Sequence, residues 1–137
     1  MLRMIAFLAA ALAFAQAPTA SMKQLMLDLI YPSSNQILLT INRNGPADET
    51  EWAAMRRSAL TLAESANLLL APGRARDGND WQKDARLLAD AGATAYRAAL
   101  AKDAKGLATA AAAIDRSCTI CHKQYRPDVF PRQRGSQ

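Results

Sequence analysis

The chain has 137 residues, with 17 Lys and Arg against 12 Asp and Glu, a formal charge of +5, and half of its residues are hydrophobic. This size suits one domain, and two cysteines are too few for a disulfide-framed scaffold. Lys and Arg are scattered and lack aromatic neighbours, so nucleic-acid binding is not expected; the positive balance instead suits an acidic partner.

Met1–Leu2–Arg3 is a short basic start, Met4 to Ala15 is almost wholly apolar, and Ala15–Gln16–Ala17 has the small-x-small form of a processing site. Residues 1–17 therefore read as a secretory signal peptide cut after Ala17. The alternative, a membrane anchor, needs more than about a dozen apolar residues to cross about 30 Å of hydrocarbon. No later run is apolar enough to span a membrane. The folded domain is expected over 18–128, with a polar, basic tail over 129–137.

Four segments follow with helical periodicity and none with convincing strand alternation. The first covers 20–42, with Thr19 or Ser21 as cap and Met22, Leu25, Met26, Leu29, Ser33, Ile37 and Ile41 inward. Pro32 lies inside it and predicts a kink or short break. The second covers 49–70, capped by Asp48 with Glu51 in a box-like position, and turns Trp52, Met55, Ala59, Leu62, Ala63, Ala66, Leu69 and Leu70 inward. The third starts after Asn79, with Trp81, Ala85, Leu88, Gly92, Ala95 and Ala99 on one face. Gly92 lowers helix propensity by roughly 1 kcal/mol relative to Ala, which close approach of a neighbouring helix would explain. The fourth runs from Asp103 to Arg126, with Leu107, Ala110, Ala111, Ile114, Cys118, Cys121 and Tyr125 near one face, and Pro127 ends it. Short connections predict an all-α, antiparallel up-down-up-down four-helix bundle. That topology gathers Met22, Met26, Leu68 to Leu70, Trp81 and the end of the fourth helix at one end.

The string Cys118–Thr119–Ile120–Cys121–His122 stands at that end. C-x-x-C-H is the pattern of c-type haem attachment. The two thiols add across the two vinyl groups of one haem, and the adjacent imidazole reaches the iron as proximal ligand. A thiol-redox site belongs beside a βαβ pattern, which is lacking. Structural zinc needs four ligands, and this chain offers two Cys and one His. A plain disulfide suits an exported protein but leaves His122 unexplained. The expected cofactor is one covalently bound haem c per chain.

On the other side of the iron a second histidine is lacking, and a methionine sulfur is a plausible ligand. Met26 is favoured, Met22 one turn earlier is an alternative, and an open position is another. Met55 stands fifteen residues from Leu70, roughly 22 Å by helical rise, and reads as core. Arg126, one turn after His122, can meet a propionate or cover the proximal edge, or can be a solvated residue favoured by the helix dipole. Trp81, Tyr125 and Leu29 are pocket-wall candidates, and Arg74 and Arg76 can attract a partner. No acid–base pair or nucleophile constellation accompanies the motif, so a carrier is expected rather than an enzyme.

The motif's place in the last of four helices, followed by Lys123 and Tyr125–Arg126, resembles the cytochrome c′ family, the class II c-type cytochromes. The resemblance covers about residues 22–127. It implies a four-helix bundle in a bacterial periplasm, often dimeric, with His122 as proximal ligand and Arg126 beside the proximal face. High-spin members leave the iron five-coordinate and bind nitric oxide or carbon monoxide. Low-spin relatives of the cytochrome c-556 type use a methionine of the first helix, which Met26 resembles. Tyr31–Pro32–Ser33–Ser34–Asn35 departs from the pattern by interrupting that helix. The expected function is one-electron transfer by a periplasmic monohaem protein to a redox protein or enzyme. The alternatives are a gas-binding protein with open iron and a haem subunit of a larger redox complex.

Overall fold

A computed structural model describes residues 18–76 and 78–129. The leader read at 1–17 and the tail from residue 130 lie outside the described residues, as does Asp77. Every regular element among the described residues is helical.

The first rod begins as α1, Met22–Gln24, widens into a π turn, Leu25–Ile30, and continues as α2, Tyr31–Asn42. Ser21 starts it with a full capping box: its hydroxyl accepts from the Gln24 amide at 3.2 Å, and Gln24 Oε1 accepts from the Ser21 amide at 2.9 Å. The break expected at Pro32 does not occur. Proline lacks an N–H, and its ring crowds the carbonyl four residues back, that of Asp28. The helix answers by widening just ahead of it. Tyr31 N–H donates to the Met26 carbonyl, five residues back, while the backbone keeps right-handed helical angles at Leu25, Ile30 and Tyr31. Leu25 and Ile30, five residues apart, are therefore both buried, and Ser33, Ser34, Ile37 and Thr40 continue the inner face. Leu29, expected inward, is 37% exposed. The rod ends at Asn44 (φ 74°) and Gly45 (φ 89°), whose left-handed backbone returns amides to Ile41 and Thr40 carbonyls.

The second helix is α3, Glu49–Asn67, followed by a 3-10 turn, Leu68–Leu70. Asp48 caps it by accepting from the Glu51 amide at 2.9 Å. The Glu51 carboxylate reaches one residue further back than a capping box requires, accepting from Ala47 N–H at 2.8 Å. Met55, Ala59, Leu62, Ala63 and Ala66 are buried, whereas Trp52 is half-buried.

The third helix, α4, is Gly78–Leu100, so it already includes Asn79, after which it was expected to start. The fourth, α5, is Ala104–Tyr125, capped by the Asp103 carboxylate on the Gly106 amide at 2.9 Å. Pro127 ends it and opens a 3-10 turn, Pro127–Val129.

The four helical rods form a ring in chain order: α2 packs on α3, α3 on α4, α4 on α5, and α5 returns to α2. Neighbours run antiparallel, because Trp81 reaches Leu69 while Gly92 faces Ala63, and Trp81 meets Tyr125 while Ala98 approaches Gly106. Alanines dominate the α3–α4–α5 interior, so these helices approach closely. The large enclosed side chains are Leu25, Ile37, Met55, Leu62, Leu107 and Ile114. No described helix is long and apolar enough to cross a membrane.

Candidate functional site

Four contacts gather one end of the bundle. Arg74, in the loop after α3, donates to the Ala20 carbonyl at 2.7 Å and to the Leu68 carbonyl at 3.4 Å. Trp81, in the first turn of α4, donates its indole N–H to the Leu69 carbonyl at 2.8 Å. The Trp81 ring meets Tyr125, the last residue of α5, edge to face at 4.9 Å and 82°, a favourable aromatic geometry. The start of the first rod, the end of α3, the start of α4 and the end of α5 thus share one end, as the topology predicted.

Cys118, Cys121 and His122 lie here on the last two turns of α5. Their spacing of three and four residues puts them on one side of the helix. Both cysteines are free and half-buried, and His122 is half-buried. Burial pushes the Cys118 thiol up, against a hydrogen bond from Ser117. Burial pushes the Cys121 thiol up to about 11, helped by the charges of Asp84 and Cys118 and opposed by Arg76. A thiol held in its protonated form is a poor nucleophile for disulfide exchange. Burial, then the charge of Arg126, lowers the His122 pKa. Its ring is thereby kept neutral, as an iron ligand must be.

Met22 and Met26 are half-buried and pack against the core, as do Leu70, Cys118 and Tyr125 at the same end. The backbone holds them apart from the motif. The first rod approaches α5 only through α2; neither α1 nor the π turn brings a Cα within 8 Å of α5. The π turn leans on α3 instead. Helices in direct contact have axes about 8–10 Å apart, so the methionine-bearing segment stands off from the cysteine-bearing one by more than ordinary packing. Two free thiols, an imidazole, two methionines at the same end of the bundle and this separation fit a covalently held haem. His122 and Met26 would be its iron ligands, and Cys118 and Cys121 its anchors.

The remaining candidates separate. Met55 is fully enclosed in the core. Leu29 is on the rod's outer side, as the π turn requires. Trp81 is buried at 4% exposure, with Arg76 stacked 5.8 Å over its ring. Arg126 is exposed and paired with Asp128 through two contacts of 3.2 Å, although its charge reaches His122.

One residue escaped the sequence reading. Asp84 lies on the inner face of α4, 6% exposed, one turn after Trp81, and its Oδ2 is enclosed without a hydrogen-bond partner. Burial, and then Asp80, raises its pKa against the pull of Lys83. The available signal was an acid in phase with the apolar stripe Trp81–Ala85–Leu88.

Comparison with protein-family models, with curated proteins and with solved structures returns no match to this chain.

Proposed function

We propose that this protein is a monohaem c-type cytochrome, similar to the cytochrome c′ family and closest to its low-spin c-556 type, which carries one electron at a time in the periplasm. The observation that carries the reading is the Cys118–Cys121–His122 triad on one side of α5, at the bundle end that also holds Met22 and Met26. The haem, when bound, supplies an iron that alternates between ferrous and ferric states. The chain's residues do the rest. Cys118 and Cys121 would anchor it through thioethers, and His122 and Met26 would hold its iron, with His122 neutral as a ligand must be. Exposed cations, including Arg76, favour an acidic redox partner.

The test is expression with periplasmic export and haem maturation, followed by intact mass and optical spectra. A mass increase of one haem that survives denaturation is expected, and it should be lost in Cys118→Ala with Cys121→Ala. A chain that leaves the periplasm with a Cys118–Cys121 disulfide and no haem refutes the reading. The resting spectrum should be low-spin, and Met26→Ala, but not Met22→Ala, should turn it high-spin. A high-spin resting spectrum with rapid carbon monoxide binding would replace the carrier with a gas-binding protein.

A further inference from the structure

We propose that Asp84 couples the carrier to protons: its carboxyl takes up a proton when an electron arrives at the haem and releases it when the electron leaves. This rests on the haem-bearing reading above and adds to it a second, chemically distinct cargo.

The geometry is specific. Asp84 is 6% exposed, and one of its carboxylate oxygens is enclosed with no donor. Buried carboxylates are ordinarily paired, because leaving one charged and unpartnered is costly. This one has Asp80 and Lys83 on its own helix, so one neighbour repels and one attracts. From α5 it faces Cys121, whose thiol feels its charge, with Cys118 a turn away. Arg76 of the α3–α4 connection bears on the same cysteine. The 3-10 turn against α4 contributes only leucines, and Glu64, the charged residue of α3 nearest this end, is exposed. His122 responds to burial and to Arg126.

An enclosed, unpartnered acid in that position is sensitive to any change of charge beside Cys121. The oxidised site carries one more positive charge, which favours the carboxylate; the reduced site favours the neutral acid. One electron enters from the partner protein and one proton enters from water onto Asp84. On oxidation the electron returns to a partner and the proton to water, so charge and atoms balance.

The experiment is a spectroelectrochemical titration of the holoprotein over about pH 4–9, with haem content confirmed by intact mass. The wild-type reduction potential should fall with rising pH across a window and be flat on either side. The slope approaches 59 mV for each tenfold change in proton concentration, the value for one electron. Asp84→Asn should be flat across that window, and Asp84→Glu should keep the slope with the window displaced. A flat wild-type potential overturns the proposal, as does the wild-type slope persisting in Asp84→Asn. If Asp84→Asn does not accumulate, an undisplaced window in Asp84→Glu overturns it. Loss of the Asp84 dependence in a haem-bearing protein leaves the cytochrome reading standing, whereas a haem-free product refutes both.

Discussion

Replacing Gly92 with alanine will destabilise the bundle, although alanine is the better helix former. A Cβ at this position would lie 2.8 Å from the Ala63 amide nitrogen and 2.9 Å from its Cα. Favourable carbon contacts are about 3.5–4.0 Å, so α3 and α4 would have to separate by several tenths of an ångström. Overpacking of this sort costs typically 1–3 kcal/mol, and roughly 1 kcal/mol of helix propensity is returned. The net expectation is a loss of up to about 2 kcal/mol. With a urea m-value of about 2 kcal/mol/M, the denaturation midpoint should fall by up to about 1 M, at unchanged m. Ala63→Gly should not rescue it, because the nearest atoms are backbone. A Gly92→Ala protein stabilised by about 1 kcal/mol, as at an exposed helix site, would refute the close α3–α4 crossing.

Arg74→Ala removes the donors to the Ala20 and Leu68 carbonyls; a loss of about 1–2 kcal/mol and faster amide exchange at Leu25 are expected, and unchanged exchange would show that the first rod holds without this clamp. Asp103→Ala removes the cap on the Gly106 amide and should cost about 1 kcal/mol, read from the thermal midpoint, with Asp103→Asn close to wild type. Asp84 is raised above its ordinary 3.8, so its contribution is full below that value and lost as pH rises through the folded-state value. The stability of Asp84→Asn relative to wild type, both free of haem, should therefore grow with pH from about 4 and then level off; a difference independent of pH would mean Asp84 is not held neutral. His122 is lowered below 6.5, which gives the opposite sign: its contribution is present above that value and lost as pH falls through the folded-state value. His122→Gln should lessen the acid-side loss of stability in the haem-free chain, and an identical acid limb in both proteins would contradict this.

Helix-level structure was legible because its signals are local. Asp48 caps where its side chain predicted, α5 begins within a residue of the expected Asp103, Pro127 stops it, and the α4 stripe from Trp81 to Ala99 is buried in phase. Gly92 was readable for the same reason: a residue that weakens a helix needs a neighbour close enough to require it. Asp84 was harder. Periodicity searches weigh apolar positions, and a single acid in phase with them reads as an edge of the polar face. Only the three-dimensional enclosure of its Oδ2 separates the two cases.

The first rod is where local reading failed, and the failure bears on the site. An α-helical count puts Leu25 and Leu29 on the core side. A π turn takes more residues per turn, so the inner face passes from Leu25 to Ile30 and Leu29 turns outward. The turn lies directly ahead of Pro32, where a regular helix would meet both a missing donor and a steric clash. It also contains Met26, whose carbonyl accepts the widened hydrogen bond from Tyr31. The proline and the proposed ligand are thus parts of one local arrangement. Pro32→Ala should favour a return to α spacing, rotating Leu25 and Met26 relative to Ile30 and the rest of the rod. In the holoprotein that change should appear as a high-spin component in the optical spectrum, with haem still attached through Cys118 and Cys121. A purely low-spin Pro32→Ala protein would show that the position of Met26 does not depend on the π turn.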